Sequence, residues 1–104
     1  MIILNETNFD QIISKGVTLV DFFATWCAPC RMQAPVLEDI ENHYKENSKV
    51  KVCKLDVDED GEVAMKYGVM NIPTLIIFKN GEISAKFIGL TDFDEIIAKI
   101  EEAL

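Results

Sequence analysis

The sequence predicts an α/β fold in which a central mixed sheet carries helices on both of its faces. In the first half of the chain, apolar strand-like segments alternate with helical periodicity, which is the pattern of a βαβ unit. In the second half, two strand-like segments meet at a tight turn and precede a final helix, giving a ββα ending. Residues 17–24 form an almost continuous apolar run, typical of a strand buried on both faces.

The elements of the first half follow from apolar spacing and from the residues that begin and end helices. Thr7 or Asn8 suits the start of a short helix, and Gly16 lies just beyond its end. Further along, apolar residues recur at helical spacing, and Pro35 predicts a kink in that helix. The predicted elements are a helix over 8–14, a strand over 17–24 and a helix that reaches about Asn47.

The second half ends in a hairpin and a helix. Asn80-Gly81 is a dipeptide whose positive φ angles suit a tight hairpin turn. The apolar residues of the last segment fall on one helical stripe. The predicted elements are a strand over 50–57, a helix over 60–67 closed by Gly68, strands over 74–79 and 83–88, and a helix over 93–103.

Length and charge limit the classes of function. A chain of 104 residues fits one domain, so residues 1–104 are taken as a single one. Ten basic and 18 acidic residues give a net charge of −8, which disfavours nucleic acid or an anionic membrane as a partner. The first residues lack the pattern of a signal peptide, and no apolar segment is long enough to span a membrane. We therefore expect a cytoplasmic protein.

Cys27 and Cys30 are the centre of the functional hypothesis. With three cysteines in the chain, a disulfide scaffold is not expected, and a close pair in a reducing compartment is typical of a catalytic or metal site. The pair lies where a buried strand ends and a helix begins, so the helix N-terminus would stabilise a Cys27 thiolate. Cys30, one turn further on, could attack the mixed disulfide that Cys27 forms, and Pro29 suits the first helical turn.

A zinc site is the main alternative for the same pair. A Cys-x-x-Cys half-site needs two further ligands, commonly a second close pair. Only Cys53 and His43 remain, one in a strand pattern and the other in a helix, and they do not form such a pair. We therefore expect no metal, assign His43 no role and interpret Cys53 as a buried small residue.

Asp21 interrupts the apolar run of the buried strand. If the carboxyl group is buried, its pKa is raised, and it could act as a general base for the Cys30 thiol near neutral pH. Alternatively, it is a carboxylate at a solvated strand end, and the pattern favours neither interpretation. Lys54, on the next strand, could pair with Asp21 and moderate the pKa shift.

Ile72-Pro73 and the methionines give weaker signals. The proline directly precedes a predicted strand, but X-Pro bonds are cis in only about 5% of cases, so the sequence alone does not predict a cis bond. The methionines that we interpret as packing residues are Met32, Met65 and Met70.

Several motifs, taken together in order and spacing, resemble the thioredoxin family over essentially the full chain. The segments that carry the resemblance are VDFFA at 20–24, WCAPCR at 26–31, KLDVD at 54–58, KYGV at 66–69, IPT at 72–74 and FKNG at 78–81.

The resemblance implies a thioredoxin fold, with a central mixed five-stranded sheet and four helices, and the activity of a protein-disulfide reductase. It implies that Cys27 and Cys30 form the redox disulfide, that Cys27 attacks the substrate and that Cys30 resolves the mixed disulfide. It also implies that a buried Asp21 assists proton transfer with Lys54 nearby.

The family also implies partners. Disulfide-containing proteins would be substrates, and thioredoxin reductase, a flavoprotein that uses NADPH, would return the electrons. The chain itself would carry no cofactor, act as a monomer and serve electron transport and cell redox homeostasis. Pro73 would be cis and face the cysteines. The residues that would contact substrate are Trp26, Ala28, Pro29, Ile72, Pro73 and Gly89.

Three positions depart from the family's usual pattern. Ala28 replaces a glycine between the cysteines and is expected to tune the reduction potential. Phe23 replaces a common tryptophan, and Asn71 replaces a frequent glycine before Ile72-Pro73, where it is expected to adjust recognition of substrate or reductase. No reacting group is lost.

Two other functions remain open from the sequence. An oxidase or isomerase of the same fold would have an unusually stabilised dithiol, and the Ala28-Pro29 dipeptide argues against it. A docking module would use the fold as a surface, with incidental cysteines.

Overall fold

A five-stranded mixed sheet runs through the centre of the computed structural model, which describes all residues 1–104. The strands are β1 (Ile2–Ile3), β2 (Val17–Phe23), β3 (Val50–Asp56), β4 (Thr74–Lys79) and β5 (Glu82–Ile88). The helices are α1 (Phe9–Ile13), α2 (Ala28–His43), α3 (Gly61–Lys66) and α4 (Phe93–Ala103). None of these helices has the length and apolarity to cross a membrane.

The strand order is β1-β3-β2-β4-β5, so β2 is the central strand. β2 pairs in parallel with β3 and antiparallel with β4, while β1 and β5 form the edges. This is the predicted βαβ unit followed by ββα, and the mixed sheet with four helices is confirmed. At the hairpin, Asn80 and Gly81 have φ angles of 49° and 87°, as the dipeptide predicted.

β2 separates two apolar clusters. Val17 and Leu19 face α2 and α4, whereas Val20 and Phe22 face α1 and α3. Because successive side chains of a strand point to opposite faces, Asp21 lies on the α2 side of the sheet. Hydrophobic burial on both faces of β2 explains the continuous apolar run that predicted its central position.

Most element ends agree with the sequence to within one residue, but α2 ends earlier than predicted. It stops at His43 rather than near Asn47 and is continuous through Pro35. Asn47 belongs to a turn instead: its backbone N–H donates to the carbonyl of Tyr44, and its side chain accepts from Lys49 N–H at 3.0 Å. Asparagine side chains favour such turns over helix interiors.

The interpretation of three methionines as packing residues is wrong. Met32, Met65 and Met70 are 61%, 80% and 90% exposed. Met32 and Met65 lie on the outer sides of α2 and α3, and Met70 lies in the loop before β4. The buried positions are filled by other apolar side chains.

Gly16 allows a close approach of three segments. Its φ is +74°, its N–H donates to Asn80 Oδ1 at 2.9 Å, and a Cβ built at this position would lie 2.6 Å from the carbonyl oxygen of Lys49. The turn before β2 therefore needs glycine for both backbone conformation and space.

We expect Gly16→Ala to destabilise the protein by roughly 2 kcal/mol or more, because it combines a left-handed backbone with a steric clash. The matched control is Gly61→Ala in the first turn of α3, where a Cβ meets nothing within 4 Å and φ is ordinary. It should be neutral or stabilise by about 0.5 kcal/mol. Urea unfolding of both variants measures the difference, and equal midpoints would contradict the role of Gly16.

Candidate active site

The predicted cysteine pair lies at the junction of β2 and α2, and it is joined as a disulfide with a Cα–Cα distance of 5.2 Å. Cys27 is the N-cap residue of α2, in extended conformation, and Pro29 occupies the first turn. The N–H of Cys30 donates to Cys27 Sγ at 3.2 Å. Pro29 has no N–H to leave unsatisfied there, so the sequence folds locally as a capped helix start.

The two sulfurs have different surroundings, although both residues are buried, at 5% and 4% exposed. Cys27 Sγ faces the N-terminus of α2, where the N–H of Cys30 and the positive end of the helix dipole stabilise a thiolate. Cys30 lies within the helix and lines a partly open cavity on the α2 side of the sheet. The geometry thus favours a thiolate at Cys27, and it lets the Cys30 thiol exchange its proton with groups that line the cavity.

The Ile72–Pro73 peptide bond is cis, as the resemblance implied. The carbonyl oxygen of Ile72 lies 3.7 Å from Cys27 Sγ, within reach of an S–H donor in the reduced state. The carbonyl of Pro73 accepts from the N–H of Gly89 at 2.8 Å. The structure therefore brings Ile72, which is distant in sequence, to Cys27, and it brings Gly89 to the adjoining Pro73.

Asp21 is buried, and its Oδ1 has no hydrogen-bond partner. Burial raises the pKa of its carboxyl group to about 7, and the charge of Lys54 partly opposes this shift. Of the two interpretations of Asp21, the structure supports burial in the sheet rather than a solvated strand end.

Lys54 is the register partner of Asp21 across β2 and β3. No direct ion pair joins the two side chains; Lys54 Nζ instead lies 5.5 Å from the centroid of the Phe23 ring. Lys54 therefore moderates the pKa of Asp21 through its charge at longer range. A phenylalanine face at this position gives the ammonium group an apolar, electron-rich neighbour.

A cavity of about 450 Å³ connects these groups, and it has room for several water molecules. Its walls include Asp21, Cys30 and Lys54, and the N-terminal ammonium of Met1 pairs with Glu41 at 2.6 Å along the same lining. The carboxyl group and the Cys30 sulfur therefore face a common space that water can enter.

Trp26 presents an apolar surface beside the cysteines. The side chain is 68% exposed, and its indole Nε1–H donates to Asp58 Oδ2 at 2.8 Å, which fixes the ring. Ala28 and Pro29 are also exposed, and Met70 and Leu90 add exposed apolar side chains in the two adjoining loops. Neither Leu90 nor Met70, which was interpreted as a packing residue, was predicted to lie on this surface, because an isolated apolar residue in a loop has no periodicity.

The remaining candidate zinc ligands lie apart from the pair. Cys53 belongs to the apolar cluster that packs against α1 and α3, on the opposite face of the sheet from Cys30, and burial raises the pKa of its thiol to about 12. His43 packs edge-on against Tyr44 and Phe93 at the far end of α2. No group of side chains has the composition of a metal site.

Gln33 and Thr91 form a buried polar contact that the sequence analysis missed. The Gln33 side chain donates to the Thr91 carbonyl and accepts from the Thr91 N–H, both at 2.9 Å. The one available signal was that Gln33 shares a helical stripe with Leu37 and Ile40, where apolar residues are expected.

The comparisons with known proteins agree with this geometry. The Thioredoxin family model matches residues 1–102. The chain belongs to the thioredoxin family. It is 48% identical to a thioredoxin of Staphylococcus saprophyticus subsp. saprophyticus and 46% identical to one of Staphylococcus haemolyticus, in each case over 97% of this chain and 95% of the relative.

A solved structure gives the same result for the fold. A mutant thioredoxin from Halobacterium salinarum NRC-1 superposes with a TM-score of 0.87 at 38% sequence identity, covering 98% of this chain and 88% of that chain. As a member of the thioredoxin family with a Cys27–Cys30 disulfide at the start of α2, the protein is a disulfide oxidoreductase.

In this member of the family, the pKa of Asp21 has a consequence for stability. The folded protein holds the proton up to about pH 7, while the ordinary value is 3.8, so the folded state binds more protons between these values. Stability therefore falls as pH rises through this window and levels off above it. Above pH 7, the ionised Asp21 lowers the free energy of unfolding by an amount on the order of 4 kcal/mol.

We expect Asp21→Asn to stabilise the oxidised protein by about 2–4 kcal/mol near pH 8, with the gain disappearing towards pH 4. Urea unfolding at a series of pH values measures this. The matched control is Asp39→Asn, which removes an exposed carboxylate from α2 and should leave the stability profile nearly unchanged. A gain for Asp21→Asn that does not depend on pH would contradict the assigned cause.

Proposed function

We propose that the protein is a protein-disulfide reductase that uses Cys27 as the attacking and Cys30 as the resolving thiol. The observation that carries this proposal is the asymmetry of the pair. Cys27 Sγ lies at the N-terminus of α2, while Cys30 shares a cavity with the buried, unpartnered carboxyl group of Asp21.

In the first step, the Cys27 thiolate attacks one sulfur of a substrate disulfide. The substrate S–S bond breaks, a Cys27–substrate disulfide forms, and the other substrate sulfur leaves as a thiolate that takes a proton from solvent. The N–H of Cys30 and the helix dipole stabilise the ionised form of Cys27, and the thiolate is the nucleophile.

In the second step, the Asp21 carboxylate accepts the Cys30 proton through water in the cavity. The Cys30 thiolate attacks Cys27 Sγ, the Cys27–Cys30 disulfide forms, and the remaining substrate sulfur leaves and is protonated. A pKa of about 7 suits this transfer, because a general base works best when its pKa lies near the working pH. Lys54 keeps the carboxyl pKa from rising further.

The substrate surface surrounds the cysteines. Trp26, Ala28 and Pro29 lie on one side, and Ile72, Pro73 and Gly89 lie on the other, as the contact with the Ile72 carbonyl indicates. An extended segment of a substrate protein would lie between them, so that its disulfide reaches Cys27. This arrangement supports protein disulfides rather than small molecules as substrates.

The proposal extends to the electron source and the cell. Two electrons leave the dithiol in each cycle, so a thioredoxin reductase that draws on NADPH through a flavin would return them. The protein would act as a monomer in the cytoplasm, in electron transport and cell redox homeostasis. The bacterial relatives and the free, buried Cys53 thiol support a reducing compartment.

We expect Cys30→Ser to accumulate a mixed disulfide through Cys27, because the resolving thiol is gone, and Cys27→Ser to lose reduction entirely. Mass spectrometry of the pre-reduced variants after reaction with insulin identifies the adduct. Turnover is measured in a separate assay with dithiothreitol as the electron donor. Cys53→Ala is the control, since this thiol lies on the other face of the sheet. Full activity of Cys27→Ser would rule out the mechanism.

The direction of electron flow has its own test. We expect the reduction potential of the Cys27–Cys30 pair to lie below the cytosolic glutathione poise of about −220 to −260 mV. Equilibration with dithiothreitol redox buffers, followed by thiol trapping, measures it. A potential well above the glutathione poise would move the assignment to an oxidase or isomerase. If the two cysteines formed no disulfide in these buffers, a docking module would be the remaining interpretation.

A further inference from the structure

The loop between β5 and α4, residues 89–92, carries part of the proposed substrate surface. Gly89 approaches Pro73, and the side chain of Leu90 is half exposed beside it. The hydrogen bond from Gly89 N–H to the Pro73 carbonyl is the loop's link to the segment before β4. Asp92 turns away to cap α4 by accepting from Glu95 N–H at 2.9 Å.

The rest of the loop is held by one side chain of α2. Gln33 is fully buried, and its amide group makes two bonds of 2.9 Å to the backbone of Thr91, one as donor and one as acceptor. The Thr91 hydroxyl in turn donates to the Gly89 carbonyl at 3.0 Å. A chain of contacts therefore runs from α2 through Thr91 to Gly89.

Gln33 lies one turn after Cys30 on the same helix. Thr91 is itself buried, so without Gln33 its N–H and carbonyl would be left without partners, which is costly away from water. The amide group of Gln33 satisfies one donor and one acceptor of Thr91 at the same time without a charge. The loop is thus fixed relative to the helix that carries the cysteines.

We propose that Gln33 is a positioning residue for substrate recognition, holding residues 89–91 against Pro73 before a protein substrate binds. The inference rests on the proposed function and deepens it. An extended protein segment meets this loop, and a preformed loop avoids an ordering cost on binding. A small disulfide reaches Cys27 without meeting the loop, so Gln33 separates the two substrate classes.

The test is Gln33→Met, which keeps the length of the side chain and removes both hydrogen bonds. With dithiothreitol as electron donor, we expect KM for insulin to rise about tenfold, a size typical of lost buried hydrogen bonds. The kcat for insulin, the rate with the small disulfide DTNB and the reduction potential should all stay unchanged. The matched control is Ile100→Val, which weakens packing between the same two helices without touching the loop and should keep KM.

An unchanged KM for insulin, or an equal loss with insulin and DTNB, would overturn the role of Gln33. Failure of the proposed function would look different, because the wild-type protein itself would then not reduce insulin.

A second variant keeps the test valid if Gln33→Met fails to fold. In Gln33→Glu, the neutral carboxyl group can donate to the Thr91 carbonyl and accept from its N–H, whereas the ionised group can only accept. The ratio of KM for insulin between this variant and wild type should be near one at low pH and rise with pH. Comparison with wild type at each pH cancels the titration of Asp21 and the cysteines, and a ratio that is already well above one at low pH would refute the proposal.

Discussion

Because β2 lies between two strands and between two apolar layers, its side chains from Val17 to Phe22 are all buried, and the strand cannot shift without exposing both clusters. The end of this strand fixes where α2 begins, and Cys27 is the N-cap residue of α2. The same strand carries Asp21 on the face that α2 covers. Burial of one strand thus determines the positions of both the cysteine pair and the Asp21 carboxyl group.

The burial that stabilises β2 is costly at Asp21. An aliphatic residue there would add to the apolar cluster, whereas the carboxyl group loses hydration and leaves Oδ1 without a partner. A protein can carry such a cost where the group has a function that needs it. Here the cost is the physical origin of a pKa near 7, so the instability and the proposed chemistry have one cause.

Local patterns predicted the elements because each depends on residues close in sequence. The apolar run of β2, the helix start at Cys27-Ala28-Pro29 and the Asn80-Gly81 turn carry their own signals, and all three are found where expected. The two-residue strand β1 is too short to show any period, so the fifth strand was expected from the family resemblance alone. The interpretation of the methionines as packing residues failed because an apolar residue type alone does not show whether another element covers it.

The contacts that complete the site join residues far apart in the chain, such as Cys27 with Ile72 and Gln33 with Thr91, which are 45 and 58 positions apart. No sequence pattern specifies such pairs, yet one end of each functional contact was visible. Asp21 and Gln33 are both polar residues inside apolar stripes. Thr18 shows why this signal is not sufficient: it is also buried with an unpartnered oxygen, but it faces the cluster on the α1 side, away from the cysteines. A polar interruption identifies a position that needs an explanation, and its orientation towards reacting groups decides whether that explanation is functional.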